Sequence, residues 1–459
     1  MVALCLTAAV TSLHPPHCSA ADESCVGATP LQMAVLLFSF GLMIVGAGGV
    51  RPCNFAFGAD QFNPKTDSGK AGVDSFFNWY YFTVSLAQII SVTLVVYVQS
   101  SISWSIGFGI PAVFMLLASV LFFAGSDMYV KVKPEGSPFT SLLKVAVVAV
   151  KNRRLKPPYP ELCNYTPMAS MNSTLSRTDQ YRFLDKAAVV TKEEEVNFDG
   201  SPAKTWRLCS VQQVEEAKCV LRILPILLTV IVYTIGVNPQ YMVFQALQSD
   251  RRLPFTDFQI PAATFSIFAM LSLTLWIPIY DRVIMPQMRR IRRGQGLNAL
   301  HRIGFGILIT VIESLVAGAV EGHRKASATP MSAMWFVPQL LLGGVAEAFY
   351  AIGLIEFFYK EFPENMRSLA GASYFVGNAL GNYSYSLLIT VVHRLTKNSS
   401  GGEWLPEDLN KGRLDYFYYF LAGLCSMNFL YFYLCEKSYR YKATSGIIDS
   451  AKLDHTFTP

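Results

Sequence analysis

Nine long apolar stretches constrain this chain more than any other feature of its sequence. A helix needs about 20 apolar residues to cross a hydrocarbon layer of about 30 Å. Stretches of that kind occur at 31–57, 76–99, 104–125, 219–244, 259–279, 302–320, 332–357, 367–392 and 414–435, and residues 1–13 form a partial tenth. A spanning helix satisfies its backbone polar groups internally. The pattern therefore predicts an all-α, multi-pass membrane protein.

The composition excludes several other classes of protein. Only 15% of the 459 residues are charged, against about 25% in soluble chains. The net charge of +6 lies mainly in the segments between apolar stretches, so we expect no nucleic-acid partner. The nine cysteines show neither CxxC pairs nor Cys/His metal spacing. With no recognisable catalytic motif either, we expect a protein that is not an enzyme and holds no metal or cofactor.

The apolar stretches fall into two blocks. Three of them precede, and six follow, a polar segment that carries Arg153, Arg154 and three consecutive glutamates from Glu193. This arrangement is typical of a six-plus-six plan from which the first two and a half spans are lost. We therefore predict an incomplete N-terminal bundle at 1–126 (the remnant of a third span plus three spans), a cytoplasmic connector at 127–215, a C-terminal six-helix bundle at 216–436 and a cytoplasmic tail at 437–459. Part of the connector is expected to be helical.

Basic residues between the spans predict the orientation. The loop at 280–302 carries six arginines, and such loops face the cytoplasm. Alternation places residues 393–413 outside, where Asn398 is a candidate glycosylation acceptor. Cys18 and Cys25 share a short outside loop, and pairing and free thiols both remain open there.

Four charged residues interrupt or end apolar spans. Arg51 follows an apolar run of twenty residues, and is either a cavity cation or an anchor that reaches the interface. Glu347 is central in its span, and suits a carboxylate that takes up and releases a proton, or one that holds a neighbouring helix by a hydrogen bond. Glu356 suits an interfacial role. Glu313 is either a second proton site or a packing residue.

Several segments resemble a known family. The stretch GAGGVRPCNFAFGADQF at 46–62 resembles the hallmark segment of the proton-dependent oligopeptide transporters, and more closely that of their plant nitrate/peptide branch. The stretch at 76–90 resembles the fifth-span signature of this family, and 343–383 resembles its late-span signature. LQSDRRL at 247–253 and LNKGRLDYFY at 409–418 are similar to landmarks of the plant branch. The chain resembles an N-terminally truncated member of the subgroup that holds nitrate and glucosinolate carriers.

The resemblance implies a major facilitator fold, with two helical bundles around a central cavity and the first two and a half spans missing. Arg51 falls where the family has a cavity lysine, and Glu347 falls on its substrate-binding and proton-coupling glutamate. Tyr81 and Ser85 occupy the tyrosine and asparagine places of the fifth-span signature. Tyr350, one turn after Glu347, completes the expected substrate-binding set.

Two departures concern coupling and substrate. The family's ExxER proton-coupling motif does not occur in this sequence, and residues 219–245 contain no histidine, on which some nitrate sites depend. The departure from Asn to Ser at position 85 also removes an amide.

The expected function is proton-coupled symport of nitrate or a related small organic anion across a plant membrane by alternating access. Its partners would be the lipid bilayer and an anionic or peptide-like substrate, with protons as the coupling ion and no other cofactor. The plasma membrane is favoured over the vacuolar membrane. The alternatives are the same fold carrying a peptide, a glucosinolate or a hormone, and a transport-inactive truncated membrane protein.

Overall fold

The protein was described from a computed structural model. The description covers residues 1–15, 27–62, 66–131, 137–155, 162–163, 175–190, 197, 206–238, 240–252, 259–291, 297–327, 330–397, 402–406 and 408–441. Asn398 and the Cys18/Cys25 loop lie outside these residues.

The first half of the chain consists of helices. They are α1 (Val2–Ala9), α2 (Pro30–Ala59), α3 (Asp67–Ile90), α4 (Val96–Ser101) and α5 (Trp104–Ala124). Local sequence explains where α2 starts, because Thr29 and Gln32 form a reciprocal capping box and Pro30 occupies the first turn. A π-helical turn joins α3 to α4, so that one continuous rod runs from Asp67 to Ser101.

The connector contributes one helix and a small core of its own. Helix α6 (Pro138–Lys151) packs with described connector residues against the first turns of α7 (Val211–Gly236). Lys218 is fully buried there and donates to Asp185 at 2.6 Å and Glu215 at 2.7 Å. The described part of the connector is therefore partly helical, as predicted, and α7 begins five residues before the predicted boundary at 216.

The second half consists of longer helices. After α7 come α8 (Gln240–Leu247), α9 (Ser266–Ile279), α10 (Met285–Ile291), α11 (Ala299–Ala326), α12 (Val337–Glu361), α13 (Arg367–Thr396) and α14 (Leu414–Ser438). A π-helical turn joins α9 to α10, and the helix runs on to Ile291. The loop predicted from residue 280 was wrong as far as Ile291, because Arg282 and Arg290 lie on a helical extension of the span.

Within the described ranges, eight helical segments are long and apolar enough to cross a membrane by length and composition. The sequence predicted nine spans, and the difference is α13, a 30-residue helix at the place of the predicted span 367–392. Its asparagines at 378 and 382 make it more polar than its neighbours. The described residues contain isolated bridges but no strand, so the all-α fold prediction is confirmed.

Burial differs between the halves. Helices α7, α11, α12 and α14 share a core that includes Ile226, Ile303, Leu354 and Phe432. Apolar side chains of α2 and α5, by contrast, are largely exposed. Exposed apolar surface of this extent suits contact with lipid or with further helices.

Candidate functional site between the two bundles

An apolar layer joins the two halves of the molecule. Helices α2 and α3 supply Phe55 and Phe77, and helices α9 and α12 supply Ile277, Ile352 and other buried side chains. We call this cluster the inter-bundle layer. Polar groups lie at both edges of the layer, and they differ in how well their charges are matched.

Glu347 and Tyr81 meet at the first edge. The Tyr81 hydroxyl, on α3, donates to the Glu347 carboxylate on α12 at 2.9 Å. Glu347 is exposed, whereas its neighbour Ala348 is buried in the inter-bundle layer. The carboxylate therefore faces open space between the bundles, and Tyr374 of α13 packs against the same layer.

Arg51 lies inside α2 and not beyond its end. The helix continues through Pro52 to Ala59, so no break in the helix occurs at Val50. The side chain is exposed and lies within electrostatic range of Tyr80 on α3. Among the described residues it makes no ion pair. Just after it, the Pro52 carbonyl packs closely against Gly371 of α13, which places Arg51 beside a contact between the bundles.

The structure does not bring two of the predicted site residues to this surface. Ser85 is buried, and its hydroxyl donates to the Tyr81 carbonyl of its own helix at 2.8 Å. Tyr350 is buried in the core of the second bundle, where its ring stacks on that of Tyr233 at 3.5 Å. Positions three apart lie on the same side of a helix, yet Tyr350 packs in the core of the second bundle and does not face the space that Glu347 faces.

The opposite edge of the layer carries a matched charge cluster that links α2 to the second bundle. Asp60, just after α2, accepts from Arg367 Nη1 at 2.5 Å and from the Tyr359 hydroxyl at 2.8 Å. The Arg367 guanidinium also lies over the Tyr359 ring at 4.3 Å. Twelve residues of helix separate Tyr359 from Glu347, or about 18 Å.

A second cluster at this edge ties α3 to three elements of the second bundle. Asn78 donates to Asp281 at 3.0 Å and accepts from Arg302 Nη2 at 3.1 Å. Arg302 also donates to Glu356 at 2.8 Å, and Lys360 donates to the other oxygen of that carboxylate at 2.9 Å. We call these two clusters together the latch.

Polar side chains also line α13 near Glu347. Asn378 accepts from Thr234 of α7 at 3.0 Å, and Asn382 accepts from Asn238 at 3.1 Å. Since these positions recur every four residues, they share one face of the helix. Amide groups in a membrane protein are placed where water or polar partners reach them.

The sequence analysis did not identify the residues of the latch or the polar face of α13. Asp60 lies in the quoted 46–62 segment and Arg367 in the 343–383 segment, but neither interrupts an apolar run, which was the signal used. The described residues include no group of three or more His, Cys, Asp or Glu residues able to hold a metal.

Comparisons with known proteins give the family. The family model described as the POT family matches residues 1–405. Protein NRT1/PTR FAMILY 2.11 of Arabidopsis thaliana is 54% identical over 461 residues, covering 96% of this chain and 75% of that protein. Protein NRT1/PTR FAMILY 2.9 of the same plant is 49% identical, covering 96% of this chain and 78% of the relative.

Solved structures give the fold. The crystal structure of an auto-inhibited POT family peptide transporter matches with a TM-score of 0.58 at 18% identity, covering 90% of this chain and 78% of that one. The POT family transporter PepTSo matches with a TM-score of 0.52 at 21% identity, covering 89% and 78%. The chain therefore belongs to the POT family of transporters, and it is a multi-pass integral membrane protein with the all-α major facilitator fold.

Proposed function

We propose that the protein is a proton-coupled symporter of nitrate or a related small organic anion that works by alternating access. It uses no cofactor other than the coupling proton. The plasma membrane is the proposed location. Membership of a transporter family supports the class, and the residues between the bundles support the coupling ion and the charge of the substrate.

One observation carries the proposal. An exposed cation, Arg51, and an exposed carboxylate, Glu347, both lie where the bundles meet, and neither has an opposite charge bound to it among the described residues. Ionisable residues within membrane spans are costly and rare, so those that face a cavity are functional candidates. An anion would neutralise Arg51, and a proton would neutralise Glu347.

The chemistry of each group fits its proposed role. A guanidinium keeps its charge and offers parallel N–H donors to two oxygens of a planar anion. A carboxyl group binds and releases a proton without other chemistry, and the Tyr81 hydroxyl orients it. Anion and proton entering together cancel much of the charge that each would carry alone through the membrane.

Alternating access requires that the two edges of the inter-bundle layer open in turn. The latch joins the bundles at the end where the basic 280–302 segment lies, which the positive-inside rule assigns to the cytoplasm. Release into the cytoplasm would then require the Asp60–Arg367 and Asn78–Arg302 contacts to separate.

Two substitutions test the proposal. Uptake of ¹⁵N-labelled nitrate into oocytes that express the protein should rise as external pH falls from 7.4 to 5.5. Arg51→Ala and Glu347→Gln should each reduce this proton-driven uptake at least tenfold, and Arg51→Lys should retain part of it because the cation remains. Arg182→Ala, a change at an exposed connector ion pair, serves as the control. Unchanged uptake in both site variants at equal surface expression would overturn the proposal.

A substrate panel separates nitrate from the other candidates. Peptides, glucosinolates or hormones that share the site should compete with labelled nitrate, whereas compounds with no access to Arg51 should not. A compound that still competes with the residual labelled nitrate uptake of Arg51→Ala would bind through residues other than Arg51.

A further inference from the structure

Glu313 is a carboxylate of the second bundle that the proposed function does not use. It lies on α11 and packs against α12 at Gly343, where a β-carbon would stand 2.6 Å from Glu313 Oε1. The next residue, Gly344, packs against the backbone of α9. The two glycines thus let α12 pass between α9 and the Glu313 carboxylate, and any side chain at 343 would displace that carboxylate.

Glu313 is not compensated as other carboxylates of this bundle are. Its Oε2 atom is buried and has no hydrogen-bond partner in the described part of the chain. Two turns further along α11, Glu321 accepts from Gln245 at 2.6 Å and from Arg324 at 2.8 Å. An ionised carboxylate without such partners costs several kcal/mol in a bundle interior, whereas a protonated one avoids that cost.

In the part of the chain that the structure describes, no cation acts on Glu313. Glu347 acts on it electrostatically from α12, Tyr233 faces it from α7, and Tyr418 and Cys425 face it from α14. Helix α9 (Ser266–Ile279) carries no ionisable side chain. The charge that acts on Glu313 is thus a second carboxylate, and ionising both would place two like charges in the bundle, which is costly.

We propose that Glu313 is a second proton-binding site, loaded and emptied in the transport cycle through Glu347. The inference rests on the proposed function and deepens it. Glu347 is exposed and Glu313 half-buried, so a proton reaches Glu347 first. Transfer breaks the O–H bond at Glu347 and forms one at Glu313, and total charge does not change. The emptied Glu347 then accepts another proton, and two protons move with each anion.

Proton counting tests this directly. Purified protein in liposomes is given nitrate and a pH gradient of one unit, with the membrane potential clamped at zero, and protons and nitrate are counted together. Glu313→Gln should lower the protons moved per nitrate by one and the final nitrate accumulation about tenfold. Nitrate exchange at equal pH on both sides should persist, because it moves no net proton.

Infrared spectroscopy supplies a readout that needs no substrate. The carbonyl band of a protonated carboxyl at neutral pH should be present in the wild type, absent from Glu313→Gln and kept in Glu313→Asp, which also serves if the glutamine variant folds poorly. An unchanged band in Glu313→Gln, or an unchanged proton count, would overturn the inference while leaving the proposed function intact. A wild type that accumulates no nitrate under the gradient would instead overturn the proposed function, and the infrared result would still decide on Glu313.

Discussion

Two glutamates on one helix show how differently this molecule treats its charges. Glu356 and Glu347 are nine residues apart on α12, or about 14 Å. Glu356 is buried and receives hydrogen bonds from Arg302 and Lys360. Glu347 is exposed and receives one from the Tyr81 hydroxyl. The matched carboxylate holds Arg302, which in turn donates to Asn78 of the first bundle, and the unmatched one is left able to change its charge.

The arginines divide in the same way. Arg302 and Arg367 are paired with carboxylates and packed over aromatic rings. Arg51 makes no ion pair in the described part of the chain and stays exposed. Charge matching, rather than the presence of a charge in a span, therefore separates residues that stabilise a conformation from those that are available to ligands.

The largest expected effect on stability follows from neutralising Glu356, the matched carboxylate. Glu356→Gln leaves Arg302 buried without its counter-charge, and breaking a buried pair in this way costs about 3–5 kcal/mol. The purified protein in detergent should therefore unfold at a clearly lower temperature, as measured by the loss of monodisperse protein on heating.

Glu347→Gln is the matched control on the same helix. Because Glu347 has no cation partner among the described residues, its neutral variant should unfold close to the wild-type temperature while losing proton-driven uptake. Equal destabilisation by both substitutions would contradict the division into matched and unmatched charges.

The next effect concerns the latch. Asp60→Asn and Arg367→Ala each remove the ion pair, which is partly exposed. The equilibrium between the closed and the open arrangement of this edge of the inter-bundle layer should therefore shift by about 1–2 kcal/mol toward the open arrangement. Ile355→Cys, a change in the buried inter-bundle layer, should then react with a maleimide about tenfold faster, measured in a background in which the exposed Cys53 is replaced by Ser.

The double variant tests whether the two residues act together. The double variant, Asp60→Asn with Arg367→Ala, should show a labelling rate lower than additive effects of the two single variants would give, since both remove the same ion pair and differ only in their contacts with Tyr359. Additive rates would show that the residues hold different contacts.

Sequence patterns predicted much of this architecture because spans of apolar residues have few alternatives in a membrane. The segments at 31–57, 104–125 and 414–435 are within three residues of observed helix ends. The connection past Ile279 was missed because charged residues were taken as the end of a helix, whereas a helix can continue into the polar region beyond the membrane. Nothing in the local sequence marks that continuation.

The candidate site was predictable only in part, and the reason is geometric. Arg51, Tyr81 and Glu347 could be selected because each is a polar group in an apolar setting or matches a family segment, and the structure joins Tyr81 to Glu347. Ser85 was selected by its place in a family segment and Tyr350 by its spacing from Glu347, and neither signal says which face of a helix meets another bundle. The latch pairs residues 307 positions apart, a separation that no local pattern can express.

A smaller effect should follow from Tyr81→Phe. The change removes the hydroxyl that donates to Glu347 and keeps the ring that packs on the inter-bundle layer. The stabilisation of the Glu347 carboxylate by this hydrogen bond, about 1 kcal/mol, should be lost. Proton-driven uptake should fall several-fold without a change in unfolding temperature. Thr83→Val, which removes an exposed hydroxyl bonded to its own helix, is the control, and equal losses in both variants would argue against a specific role for Tyr81.

The smallest effect is expected in the connector, where a matched cluster should keep a thiol closed to reagents. Burial raises the pKa of the Cys209 thiol to about 11, although Lys144 opposes this shift. At pH 8 only about one thiol in a thousand is then ionised, and the thiolate is the reactive form. Peptide mass spectrometry should find Cys209 unlabelled by maleimide in the native protein. Lys218→Met removes the cation that Asp185 and Glu215 share, but Asp185 keeps Arg177 at 3.0 Å and Glu215 keeps Arg222 at 3.5 Å. The connector core should therefore loosen enough to allow labelling of Cys209 without unfolding. Rapid labelling of Cys209 in the wild type would show that matched charges do not close this region.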